Sequence, residues 1–373
     1  MPRSASSNGL ASVPTSANGH RGSHAGSLSL ITGGAGFIGT NLAHRLLSGG
    51  KRVRVYDDLS RPGVERNVRW LRAQHGSRLA VQIGDVRDAT ALRQALADVD
   101  DVYHLAAQVA VTTSLARPLH DLEVNVRGTL NLLEEVRRLD DPPKVLYTST
   151  NKVYGALSDL RLVRDGDRWA PESDQLARRG LDEKRPLDMC TPYGCSKGAA
   201  DQYVLDYAKS FGLRTVVFRM SCIYGPHQHG NEDQGWVAHF LLQALAGRPI
   251  TIYGDGAQVR DVLFVDDVVD AMLLAQKSSF RPEVRGCAFN IGGGRENAVS
   301  LLEVVDLIAE LTGERPELEF AEERPGDQRY YVSDTTRFAE ATGWTPAVSV
   351  RHGLEELQEW LERGRRPVAA TAR

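Results

Sequence analysis

From residue 28 onward, short runs rich in β-branched residues alternate with stretches whose apolar positions recur every three to four residues. Runs at 28–32, 53–57, 79–84, 101–105, 144–149 and 214–220 read as strands. Between the first two, Ile38, Leu42 and Leu46 fall on one face of a helix that Gly49-Gly50 stops. Strand and helix repeated in this way predict an α/β fold, a Rossmann-type doubly wound parallel sheet covered on both faces. After about residue 221 the alternation breaks into loops, a Tyr253-Gly254-Asp255-Gly256 turn, and helical patterns around 300–312 and 351–363. The expected division is a Rossmann domain over 28–220, rejoined by segments around 262–292, and a smaller C-terminal substrate-binding lobe from 221–261 and 293–364. Residues 1–27, mostly Ser, Gly, Ala and Asn, cannot repay the entropy of ordering and are expected to be a flexible tail; 365–373 is expected to be another.

Composition narrows the partners. The 373 residues are 42% hydrophobic and 25% charged, ordinary globular values, and the net charge is −3. Without clustered cations to displace counterions, nucleic acid is excluded as the main partner. The basic run Arg363 to Arg366 sits at the chain end, where a solvated tail is the simpler reading. No apolar run reaches the roughly 20 residues that span a bilayer, so no membrane partner is expected. Cys190, Cys195, Cys222 and Cys287 show no C-x-x-C spacing, and reduced thiols in a cytoplasm are expected.

Directly after the first strand comes Gly33-Gly34-Ala35-Gly36-Phe37-Ile38-Gly39, opening the first helix. Gly33 permits the tight turn, Gly36 lets the backbone approach a diphosphate, and Gly39 lets helix and strand pack closely. The diphosphate would then sit on free N–H groups at a helix N-terminus, those of Phe37 and Ile38 included. Asp57 ends the second strand, where a carboxylate accepts from the ribose hydroxyls and repels a 2′-phosphate, so NAD is favoured over NADP; Arg61 is a mild counterweight. Asp85-Val86 after the third strand is placed for an adenine contact, although an Asp there also serves as an ordinary turn residue.

Tyr193 and Lys197 are four residues apart, so on a helix both project from one face. Thr150 follows the fifth strand, at the carboxyl edge where open α/β sheets bind ligands. A positive charge beside a tyrosine lowers its pKa by roughly 1–3 units. Tyr193 is therefore expected to take a proton from a sugar hydroxyl that Thr150 orients, with Lys197 and an oxidised nicotinamide as the charges.

Together, the glycine motif, Asp57, Thr150 and Tyr193-x-x-x-Lys197 resemble the extended short-chain dehydrogenase/reductase family of nucleotide-sugar enzymes. His104-Leu105-Ala106-Ala107, Asn125 and Arg219-Met220-Ser221-Cys222-Ile223-Tyr224-Gly225-Pro226 match it too. The resemblance implies that Leu105, Ala106, Ala107 and Asn125 serve the cofactor, and that Ser221, Arg260, Arg324 and Asp327 serve the nucleotide-sugar substrate, the arginines facing its diphosphate. In the family's 4,6-dehydratases acidic residues follow the hydroxyl residue. Here Asn151 and Lys152 stand in those places and are assigned to substrate, so dehydration is disfavoured. The stretches 149–155, 192–203 and 231–237 resemble the CDP-paratose 2-epimerase (CDP-tyvelose epimerase) branch. That branch implies oxidation at sugar C2, reorientation, and return of the hydride to the other face. CDP is the first choice of nucleotide, with GDP and UDP open. A 4-epimerase using the same residues, and a non-catalytic NAD-binding regulatory or scaffold module, are the alternatives. No metal is expected: His227-x-His229 with Glu232 and Asp233 fits no zinc spacing, and Trp236 and Phe240 read as core packing. A homodimer or homotetramer is expected.

Overall fold

The computed structural model describes residues 26–365. The expected tails, 1–27 and 365–373, lie outside the described residues apart from residues 26, 27 and 365. A seven-stranded sheet forms the centre, its strands numbered here along the chain: β1 (Leu28–Thr32), β2 (Arg52–Asp57), β3 (Leu79–Ile83), β4 (Asp101–His104), β5 (Lys144–Thr150), β6 (Thr215–Met220) and β7 (Cys287–Ile291). The spatial order is β3-β2-β1-β4-β5-β6-β7, and all neighbours are parallel. This is the expected doubly wound α/β fold, and the order reverses between β1 and β4. The six anticipated strands are present with ends displaced by a residue at most, and β7 adds a seventh through the register Phe289↔Phe218.

β1, Leu-Ser-Leu-Ile-Thr, is buried along its whole length, because a parallel strand with helices above and below has no face for water. On one face α1 (Phe37–Ser48) buries Leu42, Leu46 and Leu47 beside Val268 and Met272 of the helix Val265–Ser278. On the other, α2 (Gly128–Arg137) buries Leu132 and Val136, and α3 (Thr191–Phe211) buries Val204 and Tyr207. Each fully buried Leu or Val contributes about 1.5–3 kcal/mol, so these rows fix which helix covers which face.

A separate apolar cluster gathers Phe240, Ile252, Val304, Ile308, Leu354 and Leu357 from the helices Trp236–Leu245, Leu301–Thr312 and Val350–Arg365 and the strand Ile250–Tyr253. Ser300 and Glu303 form a capping box that starts the middle helix. The strand Val259–Phe264 pairs in parallel with Cys222–Tyr224 and with Tyr330–Tyr331, which draws the C-terminal segments over the carboxyl ends of β5 and β6. Among the described residues no helix is long and apolar enough to cross a membrane.

Candidate active site

The glycine turn after β1 is forced by close backbone approach. Gly33 has φ +69°, and a Cβ there would lie 2.7 Å from the Ala106 nitrogen in the loop leaving β4. A Cβ on Gly39 would lie 2.5 Å from the Gly33 carbonyl oxygen, so α1 rests against the turn that starts it. Gly36 precedes α1 without any side-chain cap, leaving first-turn N–H groups for a ligand. Gly33, Gly36, Phe37, Ile38 and Gly39 line one end of a cavity of about 480 Å³, together with Leu105 and Ala107. A cradle that side chains would fill, at the switch point of the sheet, fits the diphosphate of a dinucleotide.

Asp57 is braced beside this cradle, its Oδ2 accepting from Ala35 N at 3.0 Å and its Oδ1 from Leu59 N at 2.9 Å. Burial raises its carboxyl above the usual range against the pull of those two bonds. One lone pair on each oxygen is left for a ribose. The other expected cofactor residues fare differently. Arg87 grips Asp85, its Nε 3.0 Å from both oxygens, and Val86 is buried against Gly128. Asn125 is buried and donates to Gln108 O at 3.0 Å and Ser196 Oγ at 2.9 Å, tying the loop after β4 to α3. Asp57, Asp85, Val86, Ala106 and Asn125 are not among the residues lining the cavity.

The middle of the cavity holds Thr150, Tyr193 and Lys197. β5 delivers Thr150 at its last position, and α3 presents Tyr193 and Lys197 one turn apart, all buried. Lys197 Nζ donates to Thr148 O at 2.5 Å and stands 4.3 Å from the centre of the Tyr147 ring. The Thr150 hydroxyl beside Tyr193 draws the phenol pKa down. The expected lowering of the phenol pKa is absent from the protein alone. Burial pushes Tyr193 up to about 12 against the opposing Thr150 hydroxyl, and pushes Lys197 down to about 7 against Asp201 and Asp121. α3 is anchored by Asp201, whose carboxylate takes Arg219 Nε at 2.8 Å and Nη2 at 3.1 Å.

The far end carries the cations. Lys152 Nζ and Arg260 Nη2 converge on Asp327 Oδ1 at 3.2 and 2.7 Å, and the two positive charges hold that partly buried carboxyl well below the usual range. Arg324 lies 3.8 Å over the Tyr253 ring and 3.4 Å from Asp233. Lys152, Ser221, Arg260, Arg324 and Asp327 all line the cavity. Ser221 Oγ, however, is 2.5 Å from Asp261 Oδ1, a buried carboxyl that desolvation pushes up to about 6. Asn151 spans Thr150 and Gln328. Gln328 has no role in the sequence reading; it follows Asp327 by one residue, the nearest available signal.

The His227 ring packs on Trp70 at 4.2 Å and on Trp360 at 5.4 Å. Among the described residues no three His, Cys, Asp or Glu side chains gather as metal ligands would. Trp236 and Phe240 meet edge to face at 5.4 Å, on a helix whose Phe240 is buried.

This arrangement has counterparts. Residues 29–292 match the model of the NAD dependent epimerase/dehydratase family. A CDP-paratose 2-epimerase from Salmonella typhi is 42% identical over 338 residues, covering 89% of this chain and 98% of that protein. A UDP-glucose 4-epimerase from Mycolicibacterium smegmatis is 35% identical, covering 89% and 97%. Among solved structures, a UDP-glucose 4-epimerase from Thermus thermophilus in complex with NAD is 32% identical, with TM-score 0.75 and coverage of 91% of this chain and 100% of that one. The glycine cradle, the Thr150–Tyr193–Lys197 group and the whole-length likeness agree: the chain belongs to the NAD-dependent epimerase/dehydratase family.

Proposed function

We propose that this chain is an NAD-dependent epimerase of a nucleotide-diphosphate sugar that inverts sugar C2, as the name of the Salmonella protein describes, with CDP as the nucleotide. The observation that carries this is one cavity lined by the glycine cradle, by Thr150, Tyr193 and Lys197, and by Arg260 and Arg324, in a chain 42% identical to a CDP-paratose 2-epimerase. Bound NAD supplies a hydride acceptor that later returns the hydride. Asp57 and the glycine turn hold the dinucleotide, with the loops bearing Asp85, Val86, Ala106, Ala107 and Asn125 supporting its adenine and nicotinamide ends. Thr150 orients the sugar hydroxyl and Tyr193 removes its proton, the Lys197 ammonium stabilising the phenolate. Tyr193 then returns that proton to the ketone oxygen. Arg260, Arg324 and Lys152 balance the diphosphate, and the lobe of residues 221–261 and 293–364 closes over the sugar. Asn151 and Lys152 offer no acid/base pair for loss of water.

The identity to UDP-glucose 4-epimerases favours inversion at C4 as the second reading. A cytoplasmic homodimer or homotetramer completes the proposal; the four free cysteines suit a reducing compartment, and exposed Leu119, Leu122 and Phe211 suit a subunit contact.

A panel of CDP-, GDP- and UDP-sugars incubated with the NAD-loaded protein tests this. Turnover in D₂O is expected to give epimer without deuterium at the inverted carbon, while substrate deuterated at C2 reacts more slowly and keeps its label. Solvent deuterium at that carbon would sink the oxidation–reduction route, and inversion at C4 would replace the 2-epimerase reading.

A further inference from the structure

We infer that His104 is a positioning residue of the cofactor site: held as the Nε2–H tautomer, it fixes the Thr32 hydroxyl as an acceptor for the Ala106 N–H and so seats the loop after β4 against the glycine turn. The inference rests on the reading of that turn and loop as the cofactor cradle. Thr32 and His104 end β1 and β4 and stand side by side in the register of the sheet. Thr32, His104 and Thr129 of α2 are all buried, so each of their protons needs a partner inside the protein. Thr129 Oγ1 donates to the Asn125 carbonyl at 2.6 Å, and a carbonyl can only accept. That hydroxyl therefore has lone pairs and no proton for His104 Nε2, 3.0 Å away, so Nε2 carries the ring proton and Nδ1 is bare. The Thr32 hydroxyl, 2.6 Å from Nδ1, donates to it, and among the described residues no other acceptor meets that hydroxyl. The reverse tautomer would leave the Thr32 proton buried without a partner, so both ends of the chain select the same one.

With its proton committed to His104, Thr32 Oγ1 accepts from Ala106 N at 3.3 Å. The fit there is tight, since a Cβ on Gly33 would lie 2.7 Å from that same nitrogen, and Leu105 and Ala107 on either side line the cavity. The other end of the chain holds the loop a second time. Asn125, whose carbonyl takes the Thr129 proton, accepts from Gln108 N at 2.9 Å and donates to Gln108 O at 3.0 Å. His104 thus joins the two anchors of one loop without lining the cavity itself. Burial, with the Lys197 ammonium adding to it, pushes the imidazole down to about 3, so the ring stays neutral and Nδ1 stays bare at neutral pH.

Long-range proton–nitrogen NMR of the full chain, with nitrogen-15 in its histidine rings and His104→Asn identifying the resonance, reads the tautomer directly. The parent is expected to show a protonated Nε2 and a bare Nδ1, unchanged between about pH 5 and 8. A proton on Nδ1, or a ring that titrates in that range, overturns the inference. Thr129→Val keeps the side-chain shape and removes the acceptor of the Nε2–H, at a residue that does not line the cavity. It is expected to weaken NAD by about tenfold in calorimetric titration, because the chain that seats Ala106 loses its fixed direction, while Thr129→Ser binds NAD as the parent does. Parent-like affinity in Thr129→Val, or equal losses in the valine and serine variants, would show a merely packed side chain and overturn the inference. If Thr129→Val fails to fold, Thr32→Val against Thr32→Ser makes the same comparison. Should the parent bind no NAD, the cradle reading fails, while the ring tautomer still decides whether the chain runs as inferred.

Discussion

Replacing Lys197 with methionine removes an ammonium that is 3% exposed and, among the described residues, has no carboxylate within ion-pairing distance, its charge meeting the Thr148 carbonyl and the Tyr147 ring. Burial lowers its pKa from 10.5 to about 7, with Asp201 and Asp121 only partly opposing. Between those two values the folded protein carries fewer protons than the unfolded chain, so stability rises with pH across that window. Below pH 7 the full penalty remains, and above 10.5 it is gone. A depression of that size corresponds to about 5 kcal/mol. Loss of the donor to the Thr148 carbonyl takes back about 1–3 kcal/mol, leaving a net gain of about 2–4 kcal/mol at pH 6. For 373 residues the unfolding entropy is about 0.8 kcal/mol per kelvin, so the midpoint should rise by about 3–5 °C. Scanning calorimetry of Lys197→Met and the parent, without cofactor, at pH 6 and near pH 10 checks this. Turnover should be lost while the pH 6 midpoint rises and the gap closes at high pH. A variant no more stable than the parent at pH 6, or a gap equal at both values, would refute the account of a buried, poorly compensated charge.

Asp57→Ala is expected to weaken NAD by about ten- to a hundredfold, the loss of charged acceptors for two hydroxyls, as read by calorimetric titration; unchanged affinity, or a preference for NADP in the parent, would remove Asp57 from the cofactor site. Asp201→Ala leaves Arg219, with a side chain 6% exposed, without its bidentate partner, at about 3–5 kcal/mol and so about 4–6 °C by thermal melting. Asp201→Leu with Arg219→Met should recover most of that loss, and a double variant no better than Asp201→Ala would show that the charge was not the cause.

What was legible in the sequence was what neighbours in the chain determine. The six strands, the glycine turn and the Tyr193–Lys197 spacing each depend on fewer than about ten consecutive residues, the range over which periodicity speaks. β7 as a strand beside β6 is not legible in the sequence, since Cys287–Ile291 is a short apolar run that could equally belong to a buried helix. The site divides in the same way. Thr150, Tyr193, Lys197, Arg260 and Arg324, widely separated in the sequence, line one cavity. By contrast, Asp85 reads as a ligand residue and is held by Arg87, while the partner of Asn151 lies 177 residues away. Helical spacing brings Tyr193 and Lys197 to one face but says nothing of the burial that pushes the phenol up in the protein alone.

Arg324, Asp327 and Gln328 belong to one short turn, and Asp327 grips Lys152 while Gln328 grips the adjacent Asn151. The turn carrying Arg324, which is proposed to face the diphosphate, therefore also holds Lys152 and Asn151, the two residues that follow Thr150. With Arg324 so placed, affinity for the diphosphate and alignment at the sugar would be thermodynamically linked, each biasing the other to the same degree. Binding energy gathered far from the sugar can be spent on orientation at the reacting carbon. A substrate stripped of its diphosphate should thus react sluggishly even at saturation, because the handle it lacks is also the lever that sets the site.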